Sequence, residues 1–370
     1  LPGASESALT RMKVLGVSAE HESMTGADVM KRLELGYQVG LRYSSIRPDL
    51  PNIINELLEL DLQTYDQLTM TTDGSPPSFY EYGLMNICID IAIEEGIPLV
   101  EAYRMASYNA AKHFGLDDWI GSIAPGKIAH INILQAKDNP HPIGVLAKGQ
   151  WIVKDGEKQA IAPSINWEKY GIKTLSFDWD LYYEDLQFSI PVGVEMVNDV
   201  ILKPYMVKVD SSIERLPEGQ DEAFLLMVDR YGEWRVNTTI KGFTNQLGAI
   251  VSSYSITGDI IIIGKSKQDM QMAFDRMKAL GGGIVLVNQG DIIFELPLSL
   301  AGMMYEGNMQ TLVEKENSLK DILKEYGYAF HDPIYHLLFI PATHLPYIRV
   351  TQQGIMNVKN RDVLFPPTIR

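Results

Sequence analysis

Along the first third of the chain, short apolar runs alternate with stretches whose apolar residues recur every three to four positions. VLGVSAEH (14–21), YQVGLRYSS (37–45) and DQLTMTTD (66–73) read as strands, ending near His21, Ser45 and Asp73. TGADVMKRLELG (25–36) and PDLPNIINELLEL (48–60) carry the helical period. Thr25 with Asp28 three residues on forms an N-terminal cap signal, and Gly36 a stop. Two more helices are predicted near 83–95 and 98–114, the second opening with Pro98 and stopping at Gly115. LPGASESALTRMKVLG reads as a turn feeding a helix. Strict strand–helix alternation predicts βα units on a parallel sheet, as in a doubly wound sheet or a barrel.

From about residue 120 the period changes. GSIAPGKIAHINIL and IGVLAKGQWIVKDGEK give short strands broken by Gly, with KDG as a hairpin turn. A linker containing Pro163 comes next, at about 156–170. Beyond it, VILKPYMVKV, FLLMVDRYG, EWRVNTTIKGF, GDIIIIG, GGGIVLVNQGDIIFEL and YIRVTQQGIMNV predict strands. KSKQDMQMAFDRMKALGGG predicts a helix between two of them, and 298–328 reads as helical over most of its length. The expected domains are 1–118, 119–165 and 166–370.

Composition narrows the class. Apolar residues make up 46% and charged residues 21% of 370, as in ordinary globular proteins. The net charge of −15 disfavours nucleic acid and anionic membranes as partners. No apolar run reaches the roughly 18–20 residues of a membrane span. The single cysteine, Cys88, cannot form an intrachain disulfide and suggests a reducing, cytoplasmic setting. Within its amphipathic stretch it reads as a buried apolar residue.

Three loops carry candidate chemistry. His21 in SAEHES stands at a strand's carboxyl end, where parallel βα architectures place their sites, with Glu22 beside it for proton transfer. Asp73 in TTDGSPPS ends the third strand of the same sheet. Arg42, Ser44, Ser45 and Arg47 in RYSSIRPD could bind an anion or a polar ring. Singly, each has a plainer reading: a strand-end hydrogen-bonding His, a turn Asp, and a polar loop with Asp49 capping the next helix. As consecutive βα units they line one mouth, suited to metal-assisted hydrolysis, although two protein ligands are too few to hold a catalytic metal. His113, His130, His331, His336 and His344 lack metal-ligand spacing. GGG at 281–283 has no P-loop Lys after it, and one Cys excludes the zinc-deaminase signature.

SAEHES, GLRYSS, TTDG, AYRMASYNAAKHFGL and GSIAPGKIAHINIL run in the carboxyl-terminal order of the amidohydrolase superfamily. NTTIKGF, LGAIVSS, GDIIIIG, MKALGGGIVLVNQGDIIFELPLSLAGMM and YIRVTQQGIMNV resemble the carboxyl-terminal domain of bacterial adenine deaminases. The resemblance runs across nearly the whole chain. It implies an α/β fold: a partial (β/α)8 metal-dependent hydrolase barrel with a small β subdomain and an appended α+β domain. It implies hydrolysis of adenine to hypoxanthine and ammonia at a binuclear manganese or iron centre, zinc being the alternative. By the same resemblance His21 and Asp73 are metal ligands, Asp73 also a proton shuttle, Glu22 the acid acting on a ring nitrogen, and Arg42 and Ser45 substrate-binding.

The chain departs from the family pattern at three places, which points to a divergent subgroup. Gly74 stands where the family carries a second acid, Gly83-Leu84-Met85-Asn86 where it has Gly-His-Ile-Asp, and Ser255-Ile256-Thr257 where it has a His-Asp pair. The upstream ligands are absent, and LPGAS resembles the family's residues just past the fifth-strand His, so the chain reads as a segment of a longer enzyme. The expected partner is a purine-like small molecule, with assembly as a homo-oligomer or with the missing amino-terminal segment. The alternatives are an amidohydrolase acting on another ring amine or a cyclic amide, or a non-catalytic binding or assembly module.

Overall fold

The structure is a computed structural model that describes residues 3–159 and 164–370. It divides into two compact units, Leu1–Ser164 and Ile165–Arg370. The predicted linker proline, Pro163, lies outside the described residues.

The first unit opens with α1 (Glu6–Val14), β1 (Ala19–Glu20), α2 (Gly26–Glu34), β2 (Gln38–Arg42), α3 (Leu50–Glu59) and β3 (Leu68–Thr71). β1, β2 and β3 form a three-stranded parallel sheet in that order, with Ala19 opposite Gln38 and Arg42 opposite Thr71. Thr25 caps α2 by accepting from Asp28 N–H at 3.1 Å, as the sequence predicts. Gly26 allows α2 to reach α3, because a Cβ there would stand 2.6 Å from Glu56 Cβ. Leu50, Ile53, Ile54 and Leu57 bury one face of α3 with Val39, Leu41 and Leu68 of the sheet. Each such side chain contributes roughly 1.5–3 kcal/mol through burial. The first predicted strand shrinks to Ala19–Glu20, since Val14 still belongs to α1 and Gly16 breaks the chain at φ +99°. The third stops at Thr71, two residues before Asp73.

The unit continues with α4 (Met85–Glu94), α5 (Leu99–Ala106) and α6 (Tyr108–His113). The single helix expected over 98–114 is two helices. Pro98 is the cap rather than a first-turn residue, and Ser107 breaks the run at φ −141°, ψ −77°, its hydroxyl donating to Tyr103 O at 2.6 Å. Cys88 is fully buried in α4, and burial pushes its thiol up to about 12, which fits a packing residue rather than a nucleophile. A four-stranded antiparallel sheet closes the unit: β4 (Ile131–Ala136), β5 (Asn139–Ala147), β6 (Gln150–Lys154) and β7 (Glu157–Lys158). The KDG turn joins β6 to β7 through Asp155 and Gly156, both at positive φ. His130 lies just before β4, not within a strand.

The second unit is a nine-stranded sheet. Eight of its strands are β8 (Val192–Met196), β9 (Leu202–Met206), β10 (Glu222–Val228), β11 (Trp234–Lys241), β12 (Ala249–Ser252) and β13 (Ile260–Gly264), then, after α7 (Lys267–Leu280), β14 (Gly283–Asn288) and β15 (Asp291–Pro297). α8 (Met309–Glu325) and α9 (Pro333–Phe339) come after the last of these. The chain ends with the three-stranded β16 (Ile348–Thr351), β17 (Gly354–Asn357) and β18 (Asp362–Phe365), and with β19 (Thr368–Ile369) on the edge of β11.

Both faces of the large sheet are covered. In β10, Phe224, Leu226 and Val228 pack with Phe274 and Met277 of α7, while Leu225 and Met227 pack with Leu319, Leu323 and Leu337 of α8 and α9. That is why GDIIIIG and FLLMV are apolar without alternation. The helix expected from 298 begins only at Met309, capped by Asn308. Upstream, Gly302 turns at φ +71° and its carbonyl accepts from Ser253 Oγ at 2.6 Å, which pins a loop there. No helix among the described residues is long and apolar enough to cross a membrane.

Candidate active site

The parallel register brings the carboxyl ends of β1, β2 and β3 to one edge of the sheet. His21 and Glu22 come directly after β1, Arg42 is the last residue of β2, and Asp73 lies just past β3. Gly40 keeps β2 close to the first loop, since a Cβ there would meet His21 Cβ at 3.2 Å.

Arg42 joins the two carboxylates. Its Nη1 donates to Glu22 Oε1 at 3.1 Å and to Asp73 Oδ2 at 2.9 Å, and its Nη2 donates to Glu22 Oε2 at 3.2 Å. Arg42 is only 5% exposed, so its side of the forked contact to the part-buried Glu22 is desolvated. The His21 side chain is half exposed, with Nε2 3.6 Å from Glu22 Oε1.

Asp73 adopts φ +52°, a left-handed conformation that Asp tolerates better than most residues. Its Oδ1 accepts from Gly74 N–H at 2.8 Å, and its backbone N–H donates to Thr71 Oγ1 at 3.0 Å. Burial pushes the carboxyl up, but the Gly74 N–H, the Arg42 hydrogen bond and the charges of Arg42 and His21 outweigh it. The carboxyl is held below its ordinary range.

Two further residues shape the site: Arg47, expected only as a candidate anion or ring binder, and Glu20, which the sequence does not single out. Arg47 donates from Nη1 to Glu22 Oε2 at 3.1 Å, from Nη2 to Ser23 O at 3.2 Å and from Nε to Asp49 Oδ2 at 2.7 Å. Asp49 thus braces Arg47 and makes no side-chain cap for α3, contrary to its plainer reading. Glu20 accepts from Glu22 N–H at 3.0 Å and Ser23 Oγ at 2.6 Å, and pairs with the buried Arg32 at 2.8 Å. RYSSIRPD marks Arg47 as a candidate binder of an anion or polar ring, whereas its guanidinium is taken up by Glu22, Asp49 and the Ser23 carbonyl. Glu20 and Arg32 show nothing in sequence that separates them from surface charges.

Arg42, expected to bind substrate, is buried and occupied by the two acids. Ser45 bonds through its backbone N–H to Ser75 Oγ at 3.1 Å, which ties the second loop to the third. His21 and Asp73 are donors of a kind a divalent metal takes. No group of three or more His, Cys, Asp or Glu able to hold a metal occurs among the described residues, so these donors alone do not complete a shell.

Residues 12–152 match the amidohydrolase family, and residues 201–362 match the adenine deaminase C-terminal domain. A protein of Oceanobacillus iheyensis provisionally named adenine deaminase is 58% identical over 370 residues, all of this chain and 64% of its own length. Over its whole length this chain is similar to proteins provisionally named adenine deaminase. Proteins with the same provisional name from Halalkalibacterium halodurans and Bacillus subtilis are 51% and 49% identical over 369 residues, each over 100% of this chain and 64% of their own length. The chain therefore spans somewhat less than two thirds of these adenine deaminase relatives.

Proposed function

We propose that this chain forms part of a hydrolase that converts adenine and water to hypoxanthine and ammonia. The observation that carries the reading is the joining of Glu22 and Asp73 through Arg42 on one rim of a parallel sheet, with His21 beside them. In this reading β1–β3 belong to a (β/α)8 barrel, residues 119–165 to a small β subdomain and residues 166–370 to the appended α+β domain.

Asp73, held ionised by Gly74 and Arg42, takes a proton from the attacking water and passes it toward the departing amine. Glu22, oriented by two guanidiniums, addresses a ring nitrogen, and Ser45 contacts the purine. Arg42 acts through the two carboxylates, as a positioning residue. His21 and Asp73 contribute donors to a divalent-metal site, manganese or iron with zinc as the alternative, completed by polypeptide outside these 370 residues. A bound ion would supply activation of the water. Assembly as a homo-oligomer or with an amino-terminal segment, and a cytoplasmic setting, belong to the same proposal.

The test is ammonia release from adenine by the enzyme in the length of its relatives, supplied with Mn(II) or Fe(II). Turnover that Asp73→Asn abolishes is the expected result, and an Asp73→Asn enzyme as active as the parent would sink the role of Asp73. Gly74 favours one alternative, hydrolysis of another ring amine or a cyclic amide, because the residue after Asp73 offers a backbone N–H and no second acid. A panel of purines and lactams separates the two.

A further inference from the structure

Within the second unit, the turn of the β16–β17 hairpin, the segment after α9 and Arg361 line a half-open cavity of about 480 Å³. Its polar lining is Thr257, Thr343, Thr351, Gln352, Gln353 and Arg361, and no carboxylate is among its lining residues. In a chain of net charge −15, an acid-free cavity with a cation in its wall reverses the prevailing sign. Arg361 is exposed, sits in the turn between β17 and β18 at φ +61°, and makes no ion pair among the described residues.

A second cation stands behind the same sheet face. Arg349 precedes Thr351 by two residues on β16, and its cross-strand partner, Met356, also lines the cavity. Arg349 is 1% exposed. Its guanidinium donates to Phe339 O at 3.2 Å and Val200 O at 2.6 Å, while Nε has no partner. It has no carboxylate partner among the described residues, and burial brings its pKa down to about 10.

The neutral donors are also separable. Thr351 Oγ1 donates to Gly354 O at 3.0 Å and the Thr257 hydroxyl is engaged by the buried Asp259, so the donors without a partner among the described residues are Thr343, Gln352 and Gln353. We propose that this cavity binds a small organic oxyanion, a phosphate or a carboxylate, with Arg361 as the contacting cation and Gln352, Gln353 and Thr343 as neutral donors. The apolar remainder of its wall, Met356 and Val358 among it, takes the uncharged part of the ligand.

The test is amide chemical-shift titration of the full chain with inorganic phosphate and, separately, with acetate, against sodium chloride at equal ionic strength. Saturable shifts at Gln352, Gln353 and Arg361 are expected with at least one anion, and whichever saturates at lower concentration identifies the ligand class. Arg361→Ala should weaken that binding about tenfold or more, and Arg361→Lys less, because a lone ammonium keeps the charge and loses the fork. No saturation by either anion up to about 50 mM, a free energy weaker than a millimolar contact, would overturn the proposal. So would an Arg361→Ala protein that folds and binds as the parent does.

Discussion

Arg42 donates to Asp73 at 2.9 Å across 31 residues of chain and thereby ties the third loop of the rim to the first. The same guanidinium holds Glu22, so one buried side chain sets the spacing of both proposed catalytic acids. Replacing it leaves Asp73 without a guanidinium and Glu22 with Arg47 alone. Arg42→Met should lower stability by about 1–3 kcal/mol in urea unfolding. Arg42→Lys should recover part of the stability and little of the turnover, because an ammonium cannot span Glu22 and Asp73 with a fork.

Arg47 donates to Glu22 Oε2, the oxygen that Arg42 Nη2 also meets, while braced by Asp49. Its loss should misdirect Glu22 without removing a group that meets the substrate. Arg47→Ala is expected to lower kcat by about 10–100-fold with KM changed far less, the pattern of a positioning residue. Asp49→Asn should show the same split more weakly. Steady-state kinetics on the two variants checks this, and a rise in KM alone would assign Arg47 to substrate binding instead.

The carboxyl of Asp73 is held below its ordinary value, with burial opposing and Gly74, Arg42 and His21 prevailing. A depressed folded-state pKa gives stability that is present above the unfolded value and lost as pH falls through the folded one. The urea midpoint of the parent should therefore exceed that of Asp73→Asn at pH 6. The gap should close as the pH falls below about 4.

Asp332 behaves in the opposite sense. Burial pushes its carboxyl up to about 6, with Glu316 and Asp199 adding to the rise and the Tyr335 N–H and Lys320 opposing it. The folded protein binds the proton more tightly than the unfolded chain, so stability falls as pH rises through about 6. Asp332→Asn keeps a side-chain acceptor for α9 and removes the buried charge. Its urea midpoint relative to the parent should be higher at pH 8 than at pH 5, and a pH-independent difference would rule out the charge as the cause.

Much of the fold is local and hence legible. The period of 25–36 and 48–60, the Thr25 cap, the KDG turn and the unbroken apolar run of β13 each need only near neighbours to decide their state. Errors fall where a distant contact or an unusual backbone wins. Ser107 splits a helix whose apolar pattern continues through it, and the loop before α8 is held by Ser253 from another strand. His21, Glu22, Arg42, Ser45 and Asp73 could be named from strand-end positions, because three consecutive βα units share one rim. Glu20 and Arg32 could not, and Arg47 could be named but not its pairing with Glu22 and Asp49, since these roles lie in pairings across loops.

The sequence by itself determined the residue types at the strand ends, the alternation that brings them to one edge and the resemblance to a family. The tertiary structure decided what each charge does. It buried Arg42 between two acids, turned Asp73 through a left-handed backbone onto Gly74 and Arg42, and drew Asp49 from a helix cap to Arg47. The reason is physical: periodicity records which side of an element meets the core, whereas the partner of a charged side chain depends on which distant groups share its desolvated surroundings.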